Sequence, residues 1–141
     1  MVRLRQCIFI LLLPLVLVAC GTKQSSFTII SSADLDTSIA LDLVVVTGNP
    51  EIVDEIIAAG SAAWFAKKAV FQVTYPDSLK LASFQIPPAY IVSKAEWPEG
   101  VGKNQRFFIV AQSPNIQKII AVEGGKLSSL TLDKTGITVT P

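Results

Sequence analysis

After an apolar block at the N-terminus, the hydrophobic pattern breaks into short runs separated by Ser, Asp, Gly and Pro. Residues 27–30 (FTII) predict a short strand, and 31–38 (SSADLDTS) a polar, Asp-rich loop. Residues 39–47 (IALDLVVVT) are dense in β-branched side chains and predict a strong strand. Within it Asp42 interrupts the apolar series and is expected to face solvent. A helix start follows. Asn49 can cap, Pro50 suits the first helical position, and Glu51 suits the positive end of the dipole. Ile52, Val53, Ile56 and Ile57 then form one apolar stripe, and Gly60 ends the helix. Ser61 can cap a second helix over roughly 62–73, with Trp64, Phe65 and Ala69 on its successive turns. Residues 71–75 (FQVTY) also read as strand, so that edge stays open until Pro76 stops the element.

The remainder predicts strands at 79–86, 90–94, 106–112, 117–123, 127–132 and 136–140. Pro87-Pro88, the run 97–100 (WPEG) and residues 133–136 separate some of them, and Gly124-Gly125 reads as a tight hairpin turn. Many short strands at close spacing indicate a mainly β chain folded as a β-sandwich, with one or two helices inserted between the second and third strands.

The N-terminal block is a different kind of signal. Arg3 and Arg5 are followed by an apolar stretch from Cys7 to Val18, then small Ala19 and Cys20. That order is the order of a secretory signal. The stretch is about a dozen residues, short of the ~20 a spanning helix needs, and Pro14 interrupts it. An anchor that is never removed is the competing reading. Leu17-Val18-Ala19-Cys20 resembles the lipobox of bacterial lipoproteins. The resemblance implies cleavage before Cys20, a diacylglyceryl thioether on its sulfur and acylation of the new amino group. Two or more acyl chains hold a protein firmly to a bilayer. Gly21 rather than Asp after the Cys is consistent with the outer membrane. The expected organisation is signal 1–19, lipidated tether 20–26 and folded domain 27–141, with the tether reaching ~20 Å when extended.

Removing Arg3 and Arg5 with the signal leaves ten basic residues against eleven acidic ones. A near-neutral domain has no electrostatic footprint for nucleic acid, and none is expected as a partner. With Cys7 lost and Cys20 lipidated, the domain has no thiol for a disulfide, so the fold rests on its core. The chain has no His. The usual general base and the commonest metal ligand are therefore missing; no cofactor is expected. Asp34 with Asp36, Asp54 with Glu55, and Glu96 with Glu99 are paired carboxylates that could serve acid–base work or hold a hard cation, or be solvated surface charge. Ser93-Lys94 is the one adjacent Ser–Lys pair, and on a strand the two would face opposite sides. Residues 100–103 (GVGK) resemble a fragment of a phosphate loop without its spacing and read as an ordinary loop. Trp97, in a Pro- and Gly-bearing loop, either marks a contact surface or caps the core.

A lipidated Cys, a short strand (FTIISSA), an Asp-bearing loop (DLDTS) and a strong strand (IALDLVVV) together resemble the type VI secretion lipoproteins of the TssJ family. The helical insert (PEIVDEIIAAGSAAWFAKKAV) and closing strands (KLSSLTLDKTGITVTP) follow the same order. The resemblance implies a transthyretin-like β-sandwich with added helices, anchored on the periplasmic face of the outer membrane. It also implies a partner, the periplasmic domain of a large inner-membrane secretion protein. The family's partner contacts from the first interstrand loop map onto 31–38, making Asp34, Leu35 and Asp36 the candidate partner-binding residues. Family members often carry an Asn-Pro-Asp-like run there, and this chain has Asp34-Leu35-Asp36.

Three functions follow. One is a non-enzymatic lipoprotein tethering an envelope complex. The alternative is a periplasm-facing lipoprotein that binds a small ligand in a pocket lined by Trp64, Phe65 or Trp97. The third is a hydrolase working without His.

Overall fold

A computed structural model describes residues 26–100 and 102–141. The segments expected to be signal and tether, Cys20 included, lie outside these described residues but for residue 26.

Among the described residues, eight strands form two four-stranded sheets. Sheet A has the order β4-β1-β7-β8, with β1 Phe27–Ser31, β4 Ile91–Ala95, β7 Ser129–Asp133 and β8 Gly136–Thr140. Sheet B has the order β3-β2-β5-β6, with β2 Ile39–Thr47, β3 Leu79–Ile86, β5 Gln105–Gln112 and β6 Gln117–Val122. Only β1 and β7 run parallel; every other pair is antiparallel. Helix α1, Pro50–Thr74, lies between β2 and β3 in sequence and packs on sheet B. The expected helix-bearing β-sandwich is what the chain forms.

The alternation of β2 organises three layers. Leu41, Leu43 and Val45 point between the sheets and meet Ile29, Ile109, Leu130 and Leu132. Val44 and Val46 point the other way and meet Ile52, Ile56, Trp64 and Phe71 of α1. A strand buried on both faces reads as a near-continuous apolar run, which is why β2 is so rich in Val and Leu. Each aliphatic side chain fully withdrawn from water contributes about 1.5–3 kcal/mol.

Asp42 shares the face of Val44 and Val46, so it lies beneath α1 and is fully buried. The expectation that it faces solvent fails because α1 covers that face. Its carboxylate accepts from Trp64 Nε1 at 2.8 Å and from Lys68 Nζ at 3.1 and 3.2 Å. Lys68 also reaches Ser83 Oγ at 3.1 Å and stands over the Phe65 ring at 5.0 Å.

α1 is broken where the sequence predicts, at Gly60, whose φ of 79° and ψ of 171° are not helical. Asn49 caps the first segment, its Oδ1 accepting from Glu51 N at 3.1 Å. Ser61 does not cap the second. It is buried, and its hydroxyl donates to Gln112 Oε1 at 2.8 Å, fastening the break to β5. Residues 71–74 are helical, which settles the ambiguity of FQVTY.

Gly124-Gly125 is not a hairpin turn. It belongs to a 3-10 turn, Glu123–Gly125, that carries the chain from β6 in sheet B to β7 in sheet A. Trp97 is buried, so of its two readings the cap is the observed one. Its ring sits 5.8 Å from that of Phe27 and 5.2 Å from that of Phe107, and its Nε1 donates to Gly125 O at 2.9 Å. It closes the inter-sheet core at the end where the chain enters.

Candidate partner-binding end of the sandwich

The sandwich has two ends, and the chain enters at one of them. Phe27 pairs with Ala95 there, beside Trp97. β1 crosses the molecule and emerges at Ser31, where the loop 32–38 begins. The 87–90 turn and the hairpin turn between β7 and β8 share this far end.

Loop 32–38 is tied down at its start. Ser32 N donates to Leu132 O at 2.8 Å, and Ser32 O accepts from Ala89 N at 3.1 Å and from Leu35 N at 3.4 Å. Leu35 turns inward and joins the inter-sheet core at 8% exposure. Its neighbours Asp34 and Asp36 are exposed. Of the three candidate residues, the loop therefore presents two carboxylates to solvent and uses the third to hold its shape.

The adjoining turn is fixed by Ser31. Its Oγ donates to Pro87 O at 2.6 Å and accepts from Tyr90 N at 2.8 Å, while Ser31 N donates to Tyr90 O at 2.8 Å. Ala89 takes the left-handed conformation, φ 54°, to make the turn. The sequence pattern puts Ser31 in the polar loop; it is instead the last residue of β1, continuing the inward series Phe27, Ile29, where a polar group needs partners.

Asp133 closes the β7–β8 turn by accepting from Thr135 N at 2.7 Å, Gly136 N at 3.1 Å and the Thr135 hydroxyl. The Thr135 hydrogen bonds favour the ionised carboxylate and hold its pKa below the ordinary value.

The other predicted groups are dispersed. Asp54 and Glu55 are exposed on the first segment of α1, and Glu96 and Glu99 on the loop around Trp97. Tyr75 OH lies 3.3 Å from Glu55 Oε2, and the Glu55 charge pushes the phenol pKa up. Ser93 and Lys94 are both exposed, because a β-bulge in β4 turns both outward instead of to opposite faces. Among the described residues no three of His, Cys, Asp and Glu gather into a group able to hold a metal ion.

The three aromatics expected to line a ligand pocket do not come together. Trp64 is buried under α1 and Trp97 between the sheets, so they belong to separate cores. Phe65 is half-buried beneath Lys68. An open groove of about 560 Å³ runs instead between Val53 and Ile57 of α1 and Arg106, Phe108 and Glu123. A smaller recess of about 300 Å³ adjoins it at Asn49, Asp54 and Asn104. Neither includes the three aromatics.

Among the described residues no helix is long and apolar enough to cross a membrane. The fold and its fixed end define a two-sheet β-sandwich with a helical layer on one face. No protein-family model matches the sequence, and no curated protein matches it. Among solved structures it is similar to the crystal structure of the T6SS lipoprotein TssJ1 from Pseudomonas aeruginosa. That similarity has a TM-score of 0.49 and 14% sequence identity, and covers 83% of this chain and 96% of that one. The likeness is too distant to define the family.

Proposed function

We propose that the protein is a non-enzymatic lipoprotein of the bacterial envelope. It is attached to the outer membrane through lipidated Cys20, on the periplasmic face, and holds a secretion complex there by binding the periplasmic domain of an inner-membrane protein. The observation that carries this reading is the separation of two ends. The tether joins at Phe27, and β1 then crosses the sandwich, about 17 Å for five residues of strand. The Asp34–Asp36 loop opens on the far side. Lipid on one end and a protein contact on the other leave both attachments free to act at once. Neither attachment need be tight, since holding one raises the effective concentration for the other. The lipobox and the ordering of segments that resembles the TssJ family supply the membrane and the kind of partner.

The test is a crosslinked pull-down of the lipidated protein from envelope extract, identified by mass spectrometry and repeated with Cys20→Ser. The reading expects a large inner-membrane protein with a periplasmic domain, diminished in the variant. Recovery of lipid-associated background alone contradicts it.

A further inference from the structure

Six large hydrophobic side chains are exposed among the described residues, and Ile30, Tyr90 and Ile91 lie together. Ile30 and Ile91 are direct cross-strand partners on β1 and β4, so both stand on the outer face of sheet A. They are 38% and 62% exposed, and Tyr90 is 49% exposed. The other positions of that face carry Thr28, Ser129, Thr131 and Thr138, with Ser93 and Lys94 at the bulge farther along β4. The apolar spot is thus confined to the corner where β4 begins. That corner adjoins the acidic loop, because Ser32 O holds Ala89 of the turn and Leu35 of the loop together. Asp34 and Asp36 are exposed there without an ion pair: among the described residues the one salt bridge is Lys68 with Asp42.

We propose that Ile30, Tyr90 and Ile91 form the apolar centre, and Asp34 and Asp36 the acidic rim, of a docking surface. Its occupant is a protein segment carrying apolar side chains beside Lys or Arg. The identity of that segment's owner rests on the tethering reading; the chemistry of the surface does not. Apolar centres ringed by charge are the usual anatomy of protein interfaces, and the rim charge selects a basic partner. The Ser31 hydrogen bonds fix the backbone at Tyr90 beforehand, which reduces the ordering needed on binding. An anionic lipid surface is disfavoured by the two carboxylates. A second copy pairing along β4 is opposed by the bulge at Ser93–Lys94 and by the exposed Lys94, devices that blunt strand edges.

The full-length protein, in its own host, is given a photocrosslinking residue at position 90, with Thr138 as control on the same face. The surface expects a protein adduct from position 90 and none from 138. The adduct should fall at least fivefold in Asp34→Lys/Asp36→Lys and in Ile91→Asp. The two Asp substitutions lie on an exposed loop, so the comparison survives a folding defect at Ile91. The adducted peptide should place Lys or Arg beside apolar residues. Adducts with lipid or with a second copy overturn the proposal, as does a yield indifferent to the Asp substitutions. If the pull-down recovers the inner-membrane partner while position 90 stays silent, the surface is wrong and tethering stands. If position 90 captures such a segment but Cys20→Ser changes no recovery, the surface stands and tethering fails.

Discussion

Trp64 Nε1 donates to Asp42 Oδ2 at 2.8 Å beneath α1, joining the second segment of the helix to β2, one of the two inner strands of sheet B. The Lys68 ammonium completes the arrangement at 3.1 Å. Asp42 is 1% exposed at its side chain and Lys68 29%, so the carboxylate depends on its partners far more than the lysine does. Replacing Trp64 by Phe keeps most of the packing and leaves the carboxylate one donor short. We expect Trp64→Phe to lower stability by about 1–3 kcal/mol. Lys68→Met should fall in the same range, since the charge it removes is partly solvated. Urea unfolding of the two variants measures both. A loss below about 0.5 kcal/mol for each would mean that the pair does not hold the helix, given the usual spread for surface substitutions.

Gly60 bends α1 with a φ and ψ open to almost no other residue. A Cβ there meets no atom within 4 Å, so a substitution is penalised by backbone conformation alone. Gly60→Ala should destabilise by about 1–3 kcal/mol. An increase in stability on thermal unfolding would contradict the break as a built feature.

Ser31→Ala removes the hydroxyl that accepts from Tyr90 N and donates to Pro87 O. A buried donor left unmade costs about 1–3 kcal/mol. Its local effect should be faster hydrogen exchange at Tyr90 than at β5 amides. Unchanged exchange at Tyr90 would show that the turn is fixed by other contacts.

Asp133 has a lowered pKa because its ionised form receives hydrogen bonds from Thr135 and Gly136. A carboxyl of this kind stabilises the fold above its unfolded pKa, and the contribution is lost as pH falls through the folded value. Wild type should therefore lose more thermal stability between pH 7 and pH 3 than Asp133→Asn does. Equal losses would show that other carboxylates set the acid limit.

Most elements were readable because their signals were local. β2, β3 and β8 have the bounds that β-branched runs and flanking Pro or Gly indicate, and the break at Gly60 follows from glycine's freedom. Asp42 was misread because a strand's polar residue is ordinarily its solvent side, and only α1 on that face reverses the inference. Val44 and Val46 on the same face carried the warning. Gly124-Gly125 has the composition of a hairpin turn, yet the chain changes sheets there, and sheet membership is decided by nonlocal pairing. The Ile30–Ile91 pair was invisible for the same reason: its members are distant in sequence and meet only through the register of β1 with β4. Leu35 sits in a polar loop and gave no local sign that it enters the core.

The central claim is that one molecule bridges a lipid attachment and a protein contact at opposite ends. Density-gradient fractionation of envelopes tests it most directly, following the inner-membrane partner in cells carrying wild type or Cys20→Ser. The account predicts that part of the partner travels with the outer membrane in wild-type cells and returns to the inner-membrane fraction in the variant. The soluble variant should still bind it. A partner distributed identically in both strains would contradict the claim.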